Sequence, residues 1–162
     1  MMALPLRLPP LPPPAALLKP VQWLPHPLVE ALVALATQHL LHEALVDHAL
    51  DLLEDRILAI RILDPDIRLR FTLAKGRIQS AEAGLPDVTI TATADDLLLL
   101  AAQRTDPDTL FFHRRLRIAG DTELGLAVKN VLDTIDLNAI PSALRGALGH
   151  LADDVERRSN SA

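Results

Sequence analysis

The sequence predicts a single α+β domain: a sheet that is apolar on one face, with helices covering that face. Apolar residues alternate with a period of two between residues 56 and 93, recur at helical spacing on either side of that block, and change period at turns marked by Pro and Gly. A chain of 162 residues is long enough for one core and too short to suggest two.

Residues 1–26 read as a proline-rich arm. Prolines at 5, 9, 10, 12, 13 and 14 fix φ and remove amide donors, so an extended, polyproline-like course is expected over residues 1–20. Leu4, Leu6, Leu8 and Leu11 suit a docking strip for a partner or membrane surface, with Trp23 as interfacial anchor. A plain tethered tail would carry the same residues. The folded domain is expected over 27–157. From Pro27, Leu28, Leu32, Leu35 and Ala36, then Leu40, Leu41, Ala44 and Leu45, recur at helical spacing. So wide a stripe implies more than one neighbour. A second short helix is expected from Asp47 to Leu53.

The period then becomes two. Leu58, Ile60 and Ile62 share a face of a strand over 56–63. Ile67, Leu69, Phe71 and Leu73 do so over 67–74, with Arg68, Arg70 and Thr72 opposite. Asp64-Pro65-Asp66 and Ala74-Lys75-Gly76 supply turns, and a third strand lies near 77–82. A fourth over 87–93 sets Val88, Ile90 and Ala92 against Thr89, Thr91 and Thr93. This is a sheet with one dry and one wet face. Arg61, Arg68, Arg70 and Arg117 fall on the wet side, which serves solubility or meets acidic partners and anionic head groups.

Asp95 or Asp96 is expected to open a helix through Gln103, whose run Leu97 to Leu100 wraps every side and calls for enclosure. Asp106-Pro107 joins an N-cap to proline at the first helical position, for a short helix ending near Phe112 or His113. A fifth strand follows with Leu116 and Ile118 inward. Asp121 caps a longer helix bearing Leu124, Val128, Val131 and Ile135, widened by Leu126, Ala127 and Leu132. A last helix starts at Pro141 or Ser142 with Leu144, Leu148, Leu151 and Val155 aligned, and 158–162 should fray.

Composition narrows the function. A net charge of −5 and four aromatic residues (Trp23, Phe71, Phe111, Phe112) do not make the basic, ring-lined groove of single-strand binders, so no nucleic-acid partner is expected. Without cysteine there is no disulfide, thiolate metal site or cysteine nucleophile. No charge-free, proline-free apolar run is long enough to span a bilayer, and the early prolines interrupt any signal-peptide core. A cytoplasmic protein is expected, with peripheral membrane contact at most. Leucine makes up about a fifth of the chain, which suits contact with alkyl or prenyl chains and equally suits ordinary packing.

Residues suited to catalysis are scarce. His39 and His42 are spaced to share a helical face near Glu43 and His48, but H-x-x-H-E is not the zincin order H-E-x-x-H, and a solvated face is expected with no metal. Asp106, Asp108, Asp121 and Glu123 stand where helix starts favour carboxylates. Gly120 and Gly125 make no phosphate loop, and Ser80, Ser142, Ser159 and Ser161 lack a nucleophile-elbow setting. No catalytic residue and no cofactor is expected.

Several stretches carry a family likeness. They are Asp51-Leu52-Leu53-Glu54-Asp55-Arg56, Ala94-Asp95-Asp96-Leu97-Leu98 and, above all, Asp106 to Phe112, Gly120 to Gly125 and Val128-Lys129-Asn130. They resemble the sterol carrier protein (SCP2) family, in particular its accessory factors of bacterial ubiquinone biosynthesis. The likeness covers roughly residues 27–157 and is densest in the second half. It implies an SCP2-like five-stranded, mainly antiparallel sheet with one face covered by helices around an apolar tunnel. It also implies a non-catalytic factor of oxygen-independent ubiquinone synthesis, an isoprenoid quinone precursor or phospholipid as guest, and UbiU- and UbiV-like iron–sulfur proteins as partners.

An isoprenoid tail leaves a membrane only for a comparably apolar pocket, since each methylene exposed to water costs about 0.8 kcal/mol. The expected lining is the inner strand faces with Phe111, Phe112, Leu124, Leu126, Val128, Val131, Leu132, Leu144, Leu148 and Leu151. The same side chains would also pack solidly against one another, which leaves a scaffold module without cargo as the alternative.

Overall fold

The computed structural model describes residues 12–42, 45, 47–81, 84–134 and 136–161. Leu4, Leu6, Leu8, Leu11, Glu43, Ala44, Ile135 and the side chain of Leu40 lie outside the described residues.

Five strands, β1 (Leu58–Ile62), β2 (Ile67–Ala74), β3 (Arg77–Ser80), β4 (Val88–Ala92) and β5 (Arg117–Gly120), form one sheet in the order β3-β2-β1-β4-β5. β1 and β4 run parallel at its centre and the other three pairs are antiparallel, the mainly antiparallel sheet of the expected α+β class. Register turns alternation into a face. Leu58 lies between Phe71 and Val88, Ile60 between Leu69 and Ile90, and Ile62 between Ile67 and Ala92. Apart from the half-buried Ile60, these side chains are all buried. On the wet face Arg61 and Arg68 both bond Asp66, at 3.2 and 3.4 Å, so one carboxylate offsets half the charge of two of the four arginines expected there. β2 turns into β3 through Lys75 and Gly76, at φ 53° and 70°, the backbone hand that matches strand twist.

Helical turns cover the dry face. α1 (Pro14–Leu18) and a 3-10 turn (Lys19–Trp23) replace the extended course expected over this part of the arm. Pro14 takes the first helical position, where a missing amide breaks no bond, and Leu18 and Val21 pack on the core. α2 (His26–Leu40) lies along β3, burying Glu30 and Ala34, while Leu28, Leu32 and Leu35 are exposed. β3 is the sheet's last strand, so one side of the wide stripe has a neighbour and the other faces outward. The second helix expected from Asp47 is shorter: turns that bury Leu50 lead into a 3-10 segment, Asp51–Leu53, that buries Leu53.

α3 (Ala94–Ala101) is capped by Thr93 rather than Asp95 or Asp96: Thr93 Oγ1 accepts the Asp96 amide at 3.1 Å. Asp96, buried in the first turn, is ion-paired with Arg115. The leucine run is enclosed from two sides. Leu97 and Leu100 meet the main core, and Leu98 and Leu99 meet Ala152 and Val155 of the last helix, α6 (Ser142–Ser159). That helix continues to Ser159, with the Asn160 amide bonded to Glu156 O at 3.0 Å, where fraying was expected from 158. No helix among the described residues is long and apolar enough to cross a membrane.

Candidate functional site

α4 (Pro107–Phe112) and α5 (Thr122–Asp133) begin at the caps that the sequence marks. Asp106 Oδ1 accepts the Thr109 amide and Oδ2 the Thr109 hydroxyl, both at 2.7 Å. These bonds, the hydroxyl's first, hold the Asp106 carboxyl below its ordinary value. Asp121 Oδ1 accepts the Leu124 amide at 3.0 Å and Oδ2 accepts a bond from Arg56 at 2.8 Å, so its carboxyl is lowered by the amide first and then by the guanidinium. The Asp106 bonds close the first turn of α4 on itself, while the Arg56 bond ties the start of α5 to the entry of β1.

Between them lies an apolar groove of about 240 Å³ at the β5 edge of the dry face. Phe111, Phe112, Ile118 and Leu126 form its walls, and Lys129 and Asp108 close its rim with a 2.5 Å ion pair. The rings of Phe111 and Phe112 stand edge-to-face, 6.1 Å apart. Phe112 is 79 % exposed, so a large apolar side chain is held at the mouth with little protein over it. Two glycines let the backbone approach this closely. A Cβ on Gly125 would sit 2.5 Å from Ile118 Cγ2, and one on Gly120, at φ 107°, would sit 2.2 Å from Asp87 O.

The expected lining residues separate into three groups. Phe111, Phe112 and Leu126 meet at the groove. Leu124, Val128 and Val131 are buried in the same contiguous core as the inner strand faces, with half-buried Leu132 packed against it. Leu144 is exposed and Leu148 and Leu151 are half-buried on α6; none of the three lines the groove. Ile118, expected inward with the other inner strand faces, lines the groove as well. Gly120 and Lys129 lie outside the expected lining, since a glycine turn and a lysine one position after Val128 give no periodic signal.

A polar cluster lies at the other end of the sheet. Ser80 Oγ donates to Glu30 Oε2 at 2.5 Å, Glu30 Oε1 accepts the Arg70 amide at 3.1 Å, and His26 Nδ1 is 3.6 Å from the same carboxylate. In a nucleophilic triad the imidazole stands between serine and carboxylate. Here the carboxylate stands between, and it serves as a clasp holding α2 to the end of β3. Among the described residues no three His, Asp or Glu side chains gather as a metal site. His39 is exposed and His48 is paired with Asp51 at 3.0 Å.

This sheet order, with helices on its dry face and an apolar groove at one edge, defines a sterol-carrier type of α+β protein. The chain belongs to the SCP-2 sterol transfer family, whose model matches residues 35–133. It is 43% identical over 143 residues to the ubiquinone biosynthesis accessory factor UbiT of Escherichia coli (strain K12), covering 88% of this chain and 82% of that protein. The same values hold for UbiT of Escherichia coli O157:H7. Among solved structures it resembles a UbiJ-SCP2 ubiquinone synthesis protein with a TM-score of 0.54 at 20% identity, over 66% of this chain and 95% of that one, a likeness of fold.

Proposed function

We propose that this protein is a non-catalytic, lipid-binding accessory factor of ubiquinone biosynthesis that shelters or presents a polyprenylated quinone precursor. The observation that carries the reading is the apolar groove between α4, β5 and α5, in a chain related to UbiT along most of its length. Each prenyl methylene gains about 0.8 kcal/mol on leaving water for such a surface. At about 240 Å³ the groove is smaller than the roughly 300–1,000 Å³ of sites that enclose a drug-sized ligand. It therefore takes one stretch of a prenyl chain rather than a whole molecule. Lys129 and Asp108 at its rim offer a donor and an acceptor to the polar ring end.

In this reading the pathway is the oxygen-independent one, UbiU- and UbiV-like iron–sulfur proteins are the partners, and the protein is cytoplasmic with peripheral contact to the membrane that holds its cargo. Organic extraction and mass spectrometry of the purified protein test it. Co-purified prenylated quinone precursor or phospholipid supports the carrier. Repeatedly empty protein favours a scaffold module of the same pathway, and turnover by the protein alone favours an enzyme.

A further inference from the structure

We infer that the wet face of the sheet docks the acidic surface of a partner protein. The five strands carry five arginines and no carboxylate, in a chain where 21 acidic residues outnumber 16 basic ones. All five arginines share this face. Register sets Arg68, Arg61, Thr91 and Arg117 in one row across four strands. The next row is Arg70, Ala59, Thr89 and Ala119, and Arg77 stands opposite Ala74 on β3. None of these residues is buried, so the face is left uncovered. Small side chains at its centre let a second surface come close, with guanidinium groups around them.

Solubility alone does not ask for this arrangement. Like charges directly opposite one another on neighbouring strands destabilise a sheet, and Arg61 faces Arg68. Asp66 bonds both but offsets only half their charge. Among the described residues no ion pair involves Arg70, Arg77 or Arg117.

The chemistry of the face selects its occupant. A guanidinium fork bonds a carboxylate through two parallel N–H groups. No aromatic ring lies there to stack on bases: Phe71 is on the dry side, and Trp23, Phe111 and Phe112 belong to no strand. None of the exposed large apolar side chains belongs to a strand either, so nothing on this face enters hydrocarbon. The platform measures roughly 19 by 17 Å, well short of the roughly 800 Å² that each partner gives to a standard interface. The contact is therefore transient and salt-sensitive.

The inference holds whether or not the protein carries lipid. Fluorescence anisotropy of a labelled peptide of alternating glutamate and alanine, titrated with the full chain, tests it. Binding that weakens as salt is added is expected, with none to the lysine counterpart. Arg68→Glu with Arg117→Glu should weaken binding about tenfold or more. Lys19→Glu with Arg145→Glu makes the same change in net charge at exposed positions outside the sheet, and should leave binding within about twofold. Arg68→Gln with Arg117→Gln should weaken binding in the same direction, and carries the test if circular dichroism shows the reversed pair unfolded. In cells, a photo-cross-linking side chain at Thr91, between Arg61 and Arg117, should attach to a protein through a peptide rich in Asp and Glu. The glutamine pair should abolish that adduct.

No binding of the acidic peptide by the parent overturns the inference. An equal loss in the two reversed pairs also overturns it, by assigning the attraction to net charge. Oligothymidylate or phosphatidylglycerol vesicles bound as tightly as the peptide, and lost in the same variants, overturn it and assign the face to phosphate. So does an absent adduct, or one formed at a peptide without carboxylates.

Discussion

Arg56 and Asp121, 65 positions apart, are joined by a 2.8 Å bond between Nη1 and Oδ2 that ties the entry to β1 to the start of α5. Asp121 also caps α5 through the Leu124 amide, and its own amide donates to Asp87 O at 2.8 Å, while Asp87 Oδ2 accepts the Ile57 amide at 2.8 Å. The helix forming one wall of the groove is therefore fixed to the entries of both central strands.

Asp121→Ala removes the cap and the Arg56 partner together and should lower Tm by about 2–6 °C. Arg56→Ala should cost less, because the cap survives. The double variant should fall short of the sum, since both substitutions delete one shared bond. Thermal unfolding followed by circular dichroism measures all three, and strict additivity would show that the pair is not coupled.

Acid should weaken the fold in a defined direction. Asp121 (Leu124 amide first, then Arg56), Asp106 (Thr109) and Asp66 (Arg61, then Arg68) are each held below the ordinary 3.8. A carboxyl whose folded value is depressed contributes stability fully above the unfolded value and loses it as pH falls through the folded one. Asp95, raised chiefly by burial, has the opposite sign: the folded chain takes up its proton first, so its contribution improves as pH falls. Three lowered groups against one raised group leave a net loss. Tm is expected to hold between about pH 7 and 5 and to decline below about pH 4; a Tm that stays level down to about pH 3 would contradict this.

Two glycines at positive φ should respond differently. Alanine at Gly120 keeps an unfavourable backbone and drives Cβ into Asp87 O, so a loss of about 3 kcal/mol or more is expected. Gly76 has the same handedness, φ 70°, with nothing within 4 Å of a built Cβ. Asparagine tolerates that region, so Gly76→Asn should cost at most about 1 kcal/mol. Urea unfolding of both variants makes the comparison.

The fold was legible because its signals are local. Alternation at Ile67, Leu69, Phe71 and Leu73 and the caps at Asp106 and Asp121 need no distant partner, and each lies where the sequence places it. What failed depended on neighbours. Pro14 reads as a helix breaker until its place at the first helical position is known, and Thr93 loses to Asp95 and Asp96 in a scan that favours acids at helix starts. The groove was harder still. Helical spacing puts Leu124 in the stripe and Leu126 at its margin, but only the neighbours show that one is buried in the core and the other meets the open space beside Phe112.

That difference allows cargo binding to be separated from stability. Phe112 and Leu126 are exposed, so Phe112→Ser and Leu126→Gln should each change stability by about 0.5 kcal/mol or less. Leu124 is 1 % exposed and within the core, so Leu124→Ala should cost about 2–5 kcal/mol through lost contacts and a residual cavity. If the groove holds a prenyl segment, lipid recovered per mole of folded protein should fall severalfold in the Phe112 and Leu126 variants and remain near parent level in the Leu124 variant at a temperature where it is still folded. The reverse pattern, with lipid lost only on Leu124→Ala, would move the guest from the β5 edge to the centre of the dry face. Lipid unchanged in all three would leave neither place as the binding site.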